Sequence, residues 1–210
     1  MKIAIIGTGN VGSALARGWA GKGHQVTLGT RNAEGAAALA VETGAAVSSP
    51  DRAAAGADVV ILALPWAAAE AAVKTLGDLT GKVVIDCMNP LGMVDGKLDL
   101  TLGHSTSGGE IVAGWLPGAR VVKTLNQVGA EVMALAHAMP HKPVMFMAGE
   151  DDAAKTRVAT LLSDLGFQPL DAGGIDRARI LEPFAMTWIN QAVLRGKGRA
   201  WAFAAVDLPQ

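Results

Sequence analysis

Short runs of branched apolar residues alternate along this chain with longer stretches whose apolar positions recur at helical spacing. Lys2-Ile3-Ala4-Ile5-Ile6 reads as a buried parallel strand, and from Ser13 to Gly21 the pattern turns helical, with Leu15, Ala16 and Trp19 on one face. A second strand is expected over His24 to Gly29, an alanine-rich helix over 32–43, and a short third strand at Ala45-Ala46-Val47. Asp58 to Leu64 is the clearest buried strand; Pro65 ends it and a helix over 67–76 follows. Lys82 to Asp86 gives a fifth strand, after which a long irregular stretch runs to His104. Ser107-Gly108-Gly109-Glu110 has the form of a capping box opening a helix through Leu116, and Pro117-Gly118 stops it before a sixth strand at Arg120 to Leu125. Strands and helices alternating in this order predict an α/β chain of Rossmann type, a right-handed, doubly wound parallel sheet.

The later part is less regular. A helix is expected over 130–139, a strand over Pro143 to Ala148, a helix from Asp151-Asp152 to Leu165, and a short strand at Gln168-Pro169-Leu170. Beyond a Gly173-Gly174 hinge, Asp176 to Leu194 reads as one long helix carrying Ile180, Leu181, Phe184, Trp188 and Ile189. So broad an apolar face is core for a small lobe, a contact between two copies, or both. The expected division is an extended dinucleotide-binding domain over 1–172 and a C-terminal helical lobe over 173–210, whose helix joins a homodimer.

Between the first strand and the first helix stands Gly7-Thr8-Gly9-Asn10-Val11-Gly12. In that context a G-x-G-x-x-G run points to a dinucleotide. Gly7 permits the tight turn, Gly9 lets backbone approach a pyrophosphate, and Gly12 lets helix pack on strand. The helix N-terminus then offers N–H groups to the phosphates. At the end of the second strand an NAD site places an acid, whereas this chain has Gly29-Thr30-Arg31-Asn32 and no acid before Glu34. Thr30 and Arg31 suit a 2′-phosphate, so the expected cofactor is NADP(H).

Composition adds bounds. Half of the 210 residues are hydrophobic and the net charge is −1, which argues against nucleic acid or an anionic membrane as partner. The single cysteine, Cys87, excludes an intrachain disulfide framework and suits a reducing compartment. The N-terminus does not read as a signal peptide, and the longest apolar run, Val59 to Ala69, contains Pro65 and is too short to span a membrane. The expectation is a cytoplasmic enzyme with a small-molecule hydride donor or acceptor as its partner; the glycine motif alone is also compatible with an NADPH-binding sensor module without turnover.

The chain has no tyrosine, so carbonyl reduction by a Tyr-Lys acid pair is impossible. His24, His137 and His141 read as structural or surface residues; His104, in the long loop, is the histidine hardest to dismiss as an acid. Lys123 with Asn126 allows a β-hydroxyacid dehydrogenase arrangement, but Lys123 lies within a strand, where it can simply pair with a carboxylate. No catalytic side chain and no metal site is assigned. The strand ends Leu64-Pro65-Trp66 and Met88-Asn89-Pro90, with Asn126-Gln127-Val128-Gly129-Ala130, are the expected walls for ribose and nicotinamide.

Ile6 to Gly12, Gly29-Thr30-Arg31, Leu64-Pro65-Trp66, Asn89-Pro90, Leu116 to Lys123 and the late Gly173-Gly174-Ile175 and Ala178 to Glu182 together resemble the coenzyme F420-dependent NADP oxidoreductase family, over essentially the whole chain. A similar module occurs in the membrane-anchored ferric reductases of animals, which use NADPH and a flavin. The resemblance implies hydride exchange between NADP(H) and a flat deazaflavin (F420) or flavin stacked on the nicotinamide, chemistry that needs orientation more than a dedicated acid. It assigns Thr8, Gly9, Asn10 and Val11 to the pyrophosphate and Thr30 and Arg31 to the 2′-phosphate. Leu64, Pro65 and Asn89 wall the ribose and nicotinamide, and Gly174 and Ile175 approach the second ring through backbone groups. Deazaflavin-using members tend to carry a histidine-containing turn where this chain has Asn126-Gln127, which leaves a flavin, quinone or ferric chelate open as acceptor.

Overall fold

The computed structural model describes residues 1–206 and 208. In chain order the strands are β1 (Lys2–Ile6), β2 (Gln25–Gly29), β3 (Ala46–Ser48), β4 (Val59–Leu62), β5 (Val83–Asp86), β6 (Leu91–Val94), β7 (Lys97–Leu100), β8 (Arg120–Lys123), β9 (Val144–Ala148) and β10 (Gln168–Gly173). The helices are α1 (Asn10–Trp19), α2 (Ala33–Thr43), α3 (Pro50–Ala55), α4 (Trp66–Val73), α5 (Gly108–Trp115), α6 (Ala130–Leu135), α7 (Asp152–Leu165) and α8 (Ala178–Ile189).

Eight strands form one sheet in the order β10-β9-β8-β5-β4-β1-β2-β3. From β3 to β8 every pairing is parallel. These six strands follow the doubly wound 3-2-1-4-5-6 order, with the switch point between β1 and β4. The all-apolar run of β4 is fully buried, as a strand covered on both faces requires. One core cluster fills the side of the sheet under α1, α6 and α7, with Trp19 and Phe167 at its centre; the other lies under α3, α4 and α5. The expected Rossmann-type fold is the observed one.

Several details differ from the sequence expectations. The sheet is not wholly parallel: β9 runs antiparallel to β8, meeting it at Lys123 and Ala148, and β10 follows β9 in parallel. The stretch after β5 is not irregular but holds the β6–β7 hairpin, closed by Asp95-Gly96 with both residues at positive φ (50° and 76°). That is the two-residue turn whose twist matches the strands it joins. Helix α3 was not anticipated; Ser49 stands at its N-cap position without a side-chain capping bond, and Pro50 occupies a first-turn position where its missing N–H costs nothing. The expected long C-terminal helix is three pieces: a 3-10 turn over Ile175–Arg177, then α8, then a π-helical turn over Asn190–Leu194. Pro183 sits inside α8, where it removes one backbone bond. The face of α8 is also narrower than expected, since Leu181 and Trp188 are buried while Ile180 is 57% exposed.

Helix α8 and the following segment are tied to the sheet by an aromatic run. Phe184 meets Phe146 edge-on and packs against Phe203, and Trp188 stacks on Trp201. The Trp188 indole N–H donates to the Trp201 carbonyl, and the Val144 N–H donates to the Phe203 carbonyl. Among the described residues no helix is long and apolar enough to cross a membrane.

Candidate functional site

The glycine turn is built by close contact. Gly7 has φ +102°, and a Cβ there would overlap the Ala63 carbonyl; a Cβ at Gly12 would overlap the Gly7 carbonyl. Gly9 is different. A Cβ placed on it meets nothing within 4 Å, and its backbone (φ −73°, ψ −166°) is one any residue adopts. So Gly7 and Gly12 are required by the protein, while the space over Gly9 is free for a ligand. No side chain caps the N-terminus of α1, so its first N–H groups face outward at the positive end of the helix dipole. Gly9 and Asn10 are exposed, Thr8 and Val11 half-buried, and the Thr8 carbonyl accepts from the Ser13 hydroxyl at 3.0 Å. This cradle fits a pyrophosphate.

A cleft of about 650 Å³ lies beside it, running from Gly7 and Leu64-Pro65 to Thr30, Arg31 and Pro50. The switch point places it there: β1 and β4 diverge at their carboxyl ends, and β2 delivers Thr30 and Arg31 to the same level. The Asn32 side chain accepts from the Gly35 N–H at 2.9 Å and caps α2, and the Asn32 N–H donates to the Thr30 hydroxyl at 3.1 Å. Arg31 is exposed and forms no ion pair among the described residues, so its guanidinium is available to an anion. A free cation beside a hydroxyl in an elongated cleft fits a 2′-phosphate.

Asn89 and Asn126 lie beyond the ends of β5 and β8 and face each other. The Asn89 Nδ2 donates to the Asn126 carbonyl at 2.8 Å, and the Asn126 Nδ2 donates to Asn89 Oδ1 at 3.0 Å. Asn126 is buried and uses both amide N–H groups, because Nδ2 also donates to the Leu181 carbonyl at 3.3 Å, while Oδ1 accepts from Gln127 Nε2 at 2.9 Å. Asn89 is half-exposed and retains one N–H and one lone pair. Leu125, the preceding buried residue, is held at φ +57°, a left-handed conformation that costs a non-glycine residue about 1 kcal/mol or more.

Beneath this pair is a buried ionic knot. The Lys123 ammonium, 0% exposed, donates to Asp86 Oδ2 at 3.0 Å, to Glu182 Oε1 at 2.9 Å and to the Met88 carbonyl. Glu182 reaches in from α8 and accepts from the Gly108 and Gly109 N–H groups at 3.0 Å each, at the start of α5. Burial works against the Lys123 charge, but Asp86 and Glu182 outweigh it and hold the ammonium above its ordinary pKa. Next to the knot, burial pushes the Cys87 thiol well up, so it is no nucleophile.

Helix α5 opens as its sequence predicts, with the Ser107 hydroxyl accepting from the Glu110 N–H at 3.2 Å. The Glu110 carboxylate accepts from the Ser107 hydroxyl at 2.8 Å and takes a two-pronged contact from Arg179. That contact holds the Glu110 carboxyl below the usual range.

The structure therefore brings Gly7, Thr30, Arg31, Leu64 and Pro65 to one cleft, with Thr8 to Gly12 continuous with it, and sets Asn89 and Asn126 one and two strands beyond β4. Gly174 and Ile175 line no part of the cleft: the Ile175 N–H donates to Glu150 Oε1 at 2.9 Å, and its side chain lies near Gly109. His104 (φ +53°) lines a separate groove of about 530 Å³ with Arg179 and Pro183. His24 is held between the N-terminus and Asp164, and His137 and His141 are exposed. Sequence reasoning missed Asp86 and Glu182. Asp86 was detectable, since it and Lys123 each end an apolar strand run and are register partners on adjacent strands.

The family described as NADP oxidoreductase, coenzyme F420-dependent, matches residues 2–90. The F420-dependent NADP reductase of Methanothermobacter thermautotrophicus is 30% identical over all of this chain and 97% of its own length. The crystal structure of a candidate F420-dependent NADP reductase from Arthrobacter sp. FB24 superposes with a TM-score of 0.89 at 34% identity, covering 99% of this chain and all of the other. The metalloreductase STEAP3 of Rattus norvegicus is 28% identical over 86% of this chain, which spans only 36% of that larger protein. The full-length match and the shared fold establish that this chain belongs to the coenzyme F420-dependent NADP oxidoreductase family and is an NADP-dependent oxidoreductase.

Proposed function

We propose that the chain moves hydride between NADP(H) and a flat deazaflavin, F420, or a flavin. The observation that carries this reading is the full-length likeness to an F420-dependent NADP reductase, on a chain whose glycine turn and Arg31 cleft fit the phosphates. When bound, NADPH supplies the hydride. The protein's part is to bind, orient and exclude water.

In this reading Gly7, Thr8, Gly9, Asn10, Val11 and Gly12 form the pyrophosphate cradle, and Thr30 and Arg31 hold the 2′-phosphate. Leu64 and Pro65 wall the ribose. Asn89 turns its remaining N–H and lone pair to the nicotinamide carboxamide, and Asn126 acts by fixing Asn89. Gly174 and Ile175 belong to the acceptor side; with its N–H engaged by Glu150, Ile175 contributes its side chain. Residues 1–172 then carry the cofactor, and the lobe over 173–210 covers the acceptor side. That lobe pairs two copies in a homodimer, a reading supported by Ile180, Val193 and Leu194 at 57%, 50% and 50% exposure, and the enzyme works in the cytoplasm.

A second reading, NADPH-driven reduction of a flavin, quinone or ferric chelate without F420, is supported by the similarity to the metalloreductase. An NADPH oxidation assay against F420, FMN, FAD, quinones and ferric chelates separates the two. F420 turnover well above the rest is the expected result; turnover with flavins or ferric chelates alone selects the second reading.

A further inference from the structure

We infer that Lys123 is a positioning residue: through Met88, Asp86 and Glu182 it fixes the Asn89 carboxamide that orients the nicotinamide. The inference rests on the proposed placement of the nicotinamide at Asn89.

Lys123 cannot itself touch substrate. It is wholly buried, and its three N–H groups meet three acceptors: Asp86, Glu182 and the Met88 carbonyl. Two of these hold the same short loop. Asp86 Oδ1 accepts from the Met88 N–H at 2.9 Å while Lys123 takes the Met88 carbonyl, so Met88 is pinned at both backbone groups. Asn89 is the next residue. Its side chain is then clasped by Asn126, which donates in turn to the carbonyl of Leu181. Leu181 and Glu182 are adjacent on α8. Two bridges from neighbouring residues of one helix thus converge on Met88 and Asn89, one ionic and one through amides.

Without the ammonium, the Asp86 and Glu182 carboxylates, 0% and 2% exposed, are left buried without the cation that bridged them, and the Met88 carbonyl loses its donor. The loop carrying Asn89 is released. The glycine turn and the Arg31 cleft are separate and keep their form.

The test compares two ligands by calorimetric titration: NADP⁺, and 2′-phospho-ADP-ribose, the same molecule without nicotinamide. The variants are Lys123→Met, Glu182→Gln and Asn89→Ala. The expected result is that Lys123→Met lowers the affinity ratio between NADP⁺ and the fragment by about tenfold, the loss of one or two hydrogen bonds, with fragment affinity unchanged. Glu182→Gln lowers the ratio by a smaller factor and carries the test if Lys123→Met does not fold. A ratio equal to wild type in the folded variants, or an equal fall for both ligands, overturns the inference. Asn89→Ala separates the two levels: if it leaves the ratio unchanged, the nicotinamide is not at Asn89 and the site reading fails. If it lowers the ratio and the Lys123 and Glu182 variants do not, the positioning role alone fails.

Discussion

Gly9→Ala separates what the protein needs from what the cofactor needs. The added methyl meets no protein atom within 4 Å, and the backbone there is in an allowed region for alanine. Its effect on stability is therefore within about 0.5 kcal/mol, as for other exposed positions without special geometry. The same methyl stands where the pyrophosphate approaches the first N–H groups of α1. Pushing the phosphate away from one such N–H removes a charge-assisted bond of about 1.5–3 kcal/mol, roughly a ten- to a hundredfold loss of affinity. Gly12→Ala is the internal control, because its methyl collides with the Gly7 carbonyl and must move β1 or α1. Thermal unfolding read beside NADPH titration by nicotinamide fluorescence gives both quantities for each variant. Gly9→Ala is expected to melt like wild type and bind poorly, and Gly12→Ala to melt early. A Gly9→Ala protein that binds NADPH at wild-type affinity refutes the assignment of this turn to the phosphates.

Other outcomes follow from the same geometry. Arg31→Ala is expected to weaken NADPH by roughly tenfold or more while leaving NADH affinity unchanged, measured as the ratio of the two dissociation constants. Asn126→Ala removes the donor to Asn89 Oδ1, the donor to the Leu181 carbonyl and one acceptor of Gln127 Nε2, and chemical denaturation is expected to register a loss of about 2 kcal/mol. Glu110 has a folded-state pKa depressed by Arg179, so its stabilisation is complete above the ordinary glutamate value of 4.5 and is lost as pH falls through the lower folded value. Wild type should thus lose more stability than Arg179→Ala on acidification through that window. Equal slopes in urea titrations at a series of pH values would count against the contact.

The βαβ frame was legible because local signals agree there: branched runs at β1 and β4, a glycine turn, then helical spacing. The β6–β7 hairpin was missed although Asp95-Gly96 is a strong turn signal and Lys97 to Leu100 alternates polar and apolar, since each strand is only four residues long and Gly92 interrupts the first. Helix α3 is only six residues long, and so short a helix shows little periodicity. The break after Ile189 leaves no mark in the spacing of apolar residues, because the π-helical turn covers only five residues. For the site, the phosphate end is contiguous in sequence and could be read. The proposed nicotinamide end was legible only in part: Asn89 and Asn126 were named, but Asn89, the Lys123–Asn126 stretch and Glu182 come from three separate segments, and only their hydrogen-bond partners show how they are joined.

In the proposed reaction hydride passes directly between NADPH and a flat ring. NADPH deuterated at nicotinamide C4, in each stereochemical form, can be mixed with F420 and the enzyme in ordinary water, and the reduced deazaflavin examined by mass spectrometry. Transfer of deuterium from one of the two forms to the deazaflavin carbon is the predicted result. Reduced F420 without deuterium from either form, or tight NADPH binding with no F420 reduction, would contradict it.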